Sequence, residues 1–213
     1  MSPYSDPGQH LFWLVSRSLG VAALVLVSLS IGLGLALSGR LVRRPGAPAT
    51  LKALHEAIAL SSLVAIAGHG LLLLGDSYLR PGLSGIALPF ALASQPAWTG
   101  IGIIAGWLAA IIGLSFYVRH LIGTAAWRWL HRWTLAVYVL AVAHTLGSGT
   151  DARSPWLLAL LGITATPIVF TFVHRFLPAE KRRRGARPLV ATDHQQLRSA
   201  PGARALADSD VLR

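Results

Sequence analysis

Residues 54–74 read LHEAIALSSLVAIAGHGLLLL, and residues 127–146 read WRWLHRWTLAVYVLAVAHTL. Each run is apolar and about twenty residues long, the length that crosses a bilayer as a helix. Each carries two histidines, His55 and His69 in the first, His131 and His144 in the second. Separations of 14 (69 − 55) and 13 (144 − 131) residues both amount to roughly 20 Å on a helix rising about 1.5 Å per residue. Each helix therefore holds one histidine near either face of the hydrocarbon layer. If the two helices lie side by side, the four histidines form two facing pairs stacked across the membrane. Two facing imidazoles suit the two axial positions of a haem iron.

The rest of the chain agrees with a membrane protein. Of its 213 residues, 54% are hydrophobic and 13% charged, against about 25% charged in soluble domains. Most of the arginines behind the net charge of +11 flank apolar runs or lie in the tail. There they set membrane orientation and imply no nucleic-acid partner. The chain has no cysteine and its one methionine is Met1. Disulfides, iron–sulfur clusters, thiolate metal sites and covalent c-type haem are excluded. A bound metal must rely on histidine.

Five spans are expected, near residues 11–37, 51–74, 97–118, 127–146 and 155–177. The polar start, MSPYSDPGQH, lacks the positive region of a secretory signal, so the first span is read as uncleaved. His10, and His174 at the far end of the last span, read as interfacial. Arg17 lies inside the first span, where a charge snorkels to the interface or pairs with an anionic group such as a haem propionate. Glu56, the one acid within a span, is expected to pair with the adjacent loop arginines. Gly68 and Gly70 beside His69, and a GxxxG at Gly102 and Gly106, offer close helix packing. The segment IALPFALA, at 86–93, is too short to span and should lie on the surface or fold back over the bundle. Residues 179–213 read as a basic, largely disordered tail whose KRRRGAR rests on anionic headgroups. The domain reading is thus a membrane domain over 1–178 and a tail over 179–213.

Loop charge sets the orientation. Arg40, Arg43, Arg44, Lys52, Arg119, Arg128, Arg132, Arg175 and the KRRR cluster share one side. Only Arg80 and Arg153 lie in the loops of the other. The positive-inside rule makes the first side cytoplasmic, with the N-terminus outside and the C-terminus inside. His55 and His131 then lie towards the cytoplasm, and His69 and His144 towards the exterior.

One tension is built into the spacing. At 100° per residue, 14 residues bring two side chains within about 40° of one face, but 13 leave them about 140° apart. The helix with His131 and His144 must tilt or contain a local irregularity. A zinc or copper site would need three or four ligands in one place, which two separated pairs do not supply. The competing reading is a transporter or scaffold whose histidines bind a metal ion or only pack. A proton or metal-ion transporter usually has more intramembrane acids than Glu56.

The arrangement resembles the ferric reductase-like transmembrane domain of ferric reductases, NADPH oxidases and the haem subunit of a bacterial methionine sulfoxide reductase. The resemblance covers about residues 11–177. It rests on Arg17 in SRSLG, the LH…GH pair, ALPF in the external loop, and SFYVRHLIGTAAWRWLHRW leading into the last pair. It implies an all-α polytopic helix bundle with two stacked bis-histidine b haems. The inner haem would be held by His55 and His131 and the outer by His69 and His144, with Arg17 near the outer one. Unlike the full-length oxidases and reductases, the chain has no flavin- or nicotinamide-binding region after the last span. The implied function is transmembrane electron transfer in the cytoplasmic membrane. The donor would be a separate flavoprotein or quinol, and the acceptor would lie outside.

Overall fold

The computed structural model describes residues 7–39 and 45–174, and side chains within 11–39 and 45–173. Arg40, Arg43, Arg44, Arg175 and the expected tail at 179–213 lie outside the described residues, as do the side chains of His10 and His174. Among the described residues every regular element is helical. The helices are α1 (Pro7–Ser38), α2 (Ala47–Leu72), α3 (Gly82–Ala87), α4 (Pro96–Leu114), α5 (Arg119–Ile122), α6 (Thr124–His131), α7 (Thr134–Ser148) and α8 (Pro155–His174).

Among the described residues four stretches are long and apolar enough to cross a membrane: Leu11–Ser38, Ala47–Gly75, Pro96–Leu114 and Pro155–Val173. Between 11% and 33% of the residues in their most apolar windows are buried within the chain. Val64, Val139 and Ile163 are among the large apolar side chains left on the outside. In water such a surface would aggregate; in a bilayer it is the solvated face. The chain is therefore a multi-pass helical membrane bundle.

The fourth expected span, 127–146, is not one helix. It is divided into α6 and α7, with Arg132 and Trp133 in a turn between them. Arg132 N–H donates to Trp129 O at 3.2 Å and Trp133 N–H to Leu130 O at 3.0 Å. These are i→i−3 bonds of the tighter 3₁₀ kind. The Thr134 hydroxyl donates to the His131 carbonyl at 2.8 Å, occupying an acceptor that the break releases. α7 alone, at 15 residues, rises only about 22 Å, short of a hydrocarbon core of about 30 Å. It needs α6 to span the same depth.

The core lies where α1 meets α7 and α8. Leu24, Val27, Ile31 and Leu35 of α1 pack with Tyr138 of α7 and with Leu157, Leu161 and Ile168 of α8. Ile66 of α2 and Leu135, Ala141 and Val142 of α7 close around them. Small residues let the helices approach. A Cβ on Gly68 would stand 2.8 Å from Leu19 of α1, and one on Gly106 would stand 3.4 Å from Ile66 of α2. The GxxxG of α4 thus packs as expected at Gly106, whereas Gly102 has another neighbour, described below.

The segment 86–93 folds back onto the bundle. The Trp107 indole N–H of α4 donates to Ala87 O at 2.8 Å. Phe90, in a left-handed backbone conformation (φ 67°), covers Gly100 where any side chain would collide.

Candidate metal-ligand pairs

The bundle brings the four histidines together as two pairs. His55 and His131 have ring centroids 6.1 Å apart with planes at 89°. His69 and His144 are 6.2 Å apart with planes at 70°. The lower-numbered and higher-numbered partners match in order, so α2 and the α6–α7 unit run parallel. A metal–nitrogen bond of about 2 Å, plus about 1.1 Å from that nitrogen to its ring centre, taken twice in line gives roughly 6.2 Å. Both separations fit one metal atom held between two imidazoles.

Helix α1 orients the α2 histidines. The Nδ1 of His55 lies 2.9 Å from Ser30 O, and that of His69 lies 2.8 Å from Ser16 O. A carbonyl only accepts, so both Nδ1 atoms carry the proton and both Nε2 atoms keep a free lone pair, the kind that could bind a metal. The Ser16 hydroxyl donates back to His69 O at 2.7 Å. One helical turn after each serine comes a glycine facing the same ring. A Cβ on Gly20 would stand 3.0 Å from His69 Nδ1, and one on Gly34 would stand 3.4 Å from His55 Cε1.

Ser16–Gly20 reads SRSLG and Ser30–Gly34 reads SIGLG, a repeated SxxLG. Ser16 and Ser30 are as far apart along α1 as His55 and His69 are along α2. Because α1 and α2 are antiparallel, one repeat meets each histidine. The signal lay in the sequence; its meaning required knowing which helix packs on α2.

The other half of the site is less regular. His144 Nδ1–H donates to Trp98 O of α4 at 2.9 Å, and the Ser148 hydroxyl donates to His144 O at 2.8 Å. A Cβ on Gly102 would run into the His144 ring, and one on Gly147 into the Trp98 ring. His131 is held differently. Trp127 stacks on it with centroids 5.1 Å apart and planes at 25°. Phe116 lies against Trp127 at 5.9 Å, and the Arg119 guanidinium lies 3.9 Å above the Phe116 ring.

Arg17 has partners that neither snorkelling nor a propionate anticipates. It forms an ion pair with Asp151 in the loop between α7 and α8, and its guanidinium lies 5.1 Å above Trp13. The pair ties α1 to that loop at the level of His69 and His144.

Glu56 takes a hydrogen bond from beyond the end of α4. Tyr117 donates its hydroxyl to Glu56 Oε1 at 2.9 Å. That hydrogen bond, before any effect of burial or charge, holds the phenol above its ordinary range. The loop arginines expected to pair with Glu56 lie outside the described residues. Among the described residues no group of three or more histidine, aspartate and glutamate side chains converges on one point. Comparison with protein-family models, curated proteins and solved structures finds no match in any of the three.

Proposed function

We propose that the chain is the haem-bearing membrane part of an electron-transfer system of the ferric reductase-like kind. It would carry two b haems, one between His55 and His131 and one between His69 and His144. The observation that carries the reading is the repeated geometry: two histidine pairs, each with a separation suited to one metal atom. Three of the four rings are also turned by backbone carbonyls so that Nε2 is the ligand atom. Packing alone asks for neither the duplicated spacing nor the matched tautomers.

A haem held by each histidine pair would exchange single electrons. The chain's own contribution is placement. α2 separates its histidines by about 21 Å along its axis, one near each face of the bilayer. α1 and α4 fix ring orientation and raise ligand basicity through the Nδ1–H bonds. Arg17 adds a positive charge beside the pair formed by His69 and His144, where it stabilises a nearby anionic group once its share with Asp151 is met.

By the positive-inside rule the arginine-rich loops favour a cytoplasmic side for His55 and His131, in the cytoplasmic membrane. Electrons enter there from a separate flavoprotein, or from a membrane quinol. They leave on the outside to an electron-accepting protein, a ferric chelate or oxygen. Reporter fusions test the direction: one after residue 174 should read cytoplasmic, and one at residues 80–90 external. The reverse pattern would exchange the inner and outer labels. The test of the reading itself is the visible spectrum of protein purified with haem supplied. A reduced b-type spectrum with two haems per chain is expected, and colourless folded protein would overturn it.

A further inference from the structure

Three of the four histidines are locked in one tautomer and the fourth is not. His55, His69 and His144 each donate Nδ1–H to a backbone carbonyl. Among the described residues, the ring of His131 makes no hydrogen bond; its neighbour is the Trp127 ring stacked upon it. Stacking holds the plane of an imidazole but does not distinguish its nitrogens. A half-turn about Cβ–Cγ preserves the stack and exchanges Nδ1 with Cδ2. His131 is also the last residue of α6, beside the 3₁₀ turn, whereas His55, His69 and His144 lie inside helices. A ring that donates Nδ1–H to a carbonyl is the stronger metal ligand, and to leave the metal it must give up that bond.

We infer that the inner pair holds its iron unequally. His131 is the exchangeable ligand and gives way to a small neutral iron ligand such as carbon monoxide or imidazole. The inference rests on the haem reading above. The outer pair has no such weak member. Both of its rings are hydrogen-bonded, and both face glycines: Gly102 leaves no room for a side chain beside His144, and a Cβ on Gly20 would stand 3.0 Å from His69 Nδ1. The absence of one hydrogen bond alone makes exchange at His131 about fivefold easier. The missing push on its metal bond adds to this. No electron is transferred in the exchange: the His131 Nε2–iron bond breaks, the incoming carbon or nitrogen lone pair replaces it, and the imidazole stays neutral.

The test is carbon monoxide binding to dithionite-reduced, haem-loaded protein, followed by the change in visible spectrum. Wild-type protein is expected to react in two phases, with half of the haem reacting at least about fivefold faster than the other half. Protein with His69→Ala and His144→Ala, retaining the inner haem, should show only the fast phase. Protein with His55→Ala and His131→Ala should show only the slow phase or none. Gly102→Ala, which drives a methyl into the His144 ring, should make the outer haem fast as well. A single phase for all haem in wild-type protein, or no reaction at all, would overturn the inference without recourse to variants. So would a fast phase that survives loss of the inner pair. Protein that binds no haem would instead overturn the functional reading, so the two failures are distinct.

Discussion

Helix α2 and the α6–α7 unit carry the same chemical load in different ways. α2 is one uninterrupted helix, and its spacing keeps His55 and His69 near one face without distortion. The α6–α7 unit has a spacing shorter by a single residue and breaks after His131. Along a regular helix His144 would be turned about 140° from His131. A 3₁₀ turn advances about 120° per residue where an α-helix advances 100°. Two or three such steps therefore remove roughly 40–60° of the error, and the change of direction at the break takes up more. The lesson is that a ligand helix can meet its partner by register or by distortion. Here one of each faces the other.

That contrast can be broken outright. Inserting one alanine within α7, between Val139 and Leu140, leaves the break in place, turns His144 by about 100° relative to His131 and moves it about 1.5 Å. The expected result is loss of the outer haem, about half of the total, with the inner retained. The same insertion in the loop after Gly149 should leave both. If the first insertion kept two haems with unchanged spectra, the phase argument for the break would be wrong.

Substitutions at the glycines sharpen the contrast between levels. Gly102→Ala forces a methyl into the His144 ring and should lower stability by about 1–3 kcal/mol, the usual cost of overpacking. Gly34→Ala meets His55 at ordinary contact distance and gains helix propensity, so it should be neutral within about 0.5 kcal/mol or slightly stabilising. Thermal unfolding of the two variants side by side checks the order. Thr134→Val removes the hydroxyl that serves His131 O and should cost about 1 kcal/mol, with the larger spectral change at the inner haem.

The smallest expected effect concerns Arg17. Arg17→Leu removes a positive charge beside the outer pair, which disfavours the electron-rich reduced state. The outer haem's midpoint potential should fall while the inner one stays nearly constant. Asp151→Asn frees the guanidinium from its ion pair and should move the same potential upward. If neither substitution moved the outer potential, the role of Arg17 would be to tie α1 to the loop before α8.

Much of this was legible in the sequence. The apolar runs marked five spans, four of which are single helices long and apolar enough to cross a membrane, and the two histidine spacings marked the pairs. The irregularity in the last ligand helix followed from His131 and His144 being out of phase on a regular helix. Its location did not, because HRWT contains no glycine or proline to mark it. The turn forms through backbone bonds and one hydroxyl. The tautomer lock on His144 is a main-chain carbonyl at Trp98, which no residue identity announces. Arg17 and Asp151 stand near opposite ends of the membrane domain's sequence, and only the packing of α1 against α7 and α8 brings them together. Tyr117 reaches Glu56 from beyond the end of α4, a contact between residues 61 positions apart that neither residue announces.

The measurement that tests the central claim most directly is haem per chain, with the reduced spectrum, in the two paired variants. Protein with His69→Ala and His144→Ala should keep one low-spin haem, and protein with His55→Ala and His131→Ala should keep the other, with a distinct potential. If either variant, still folded, kept both haems or lost both, two independent histidine-paired sites would be the wrong description of this bundle.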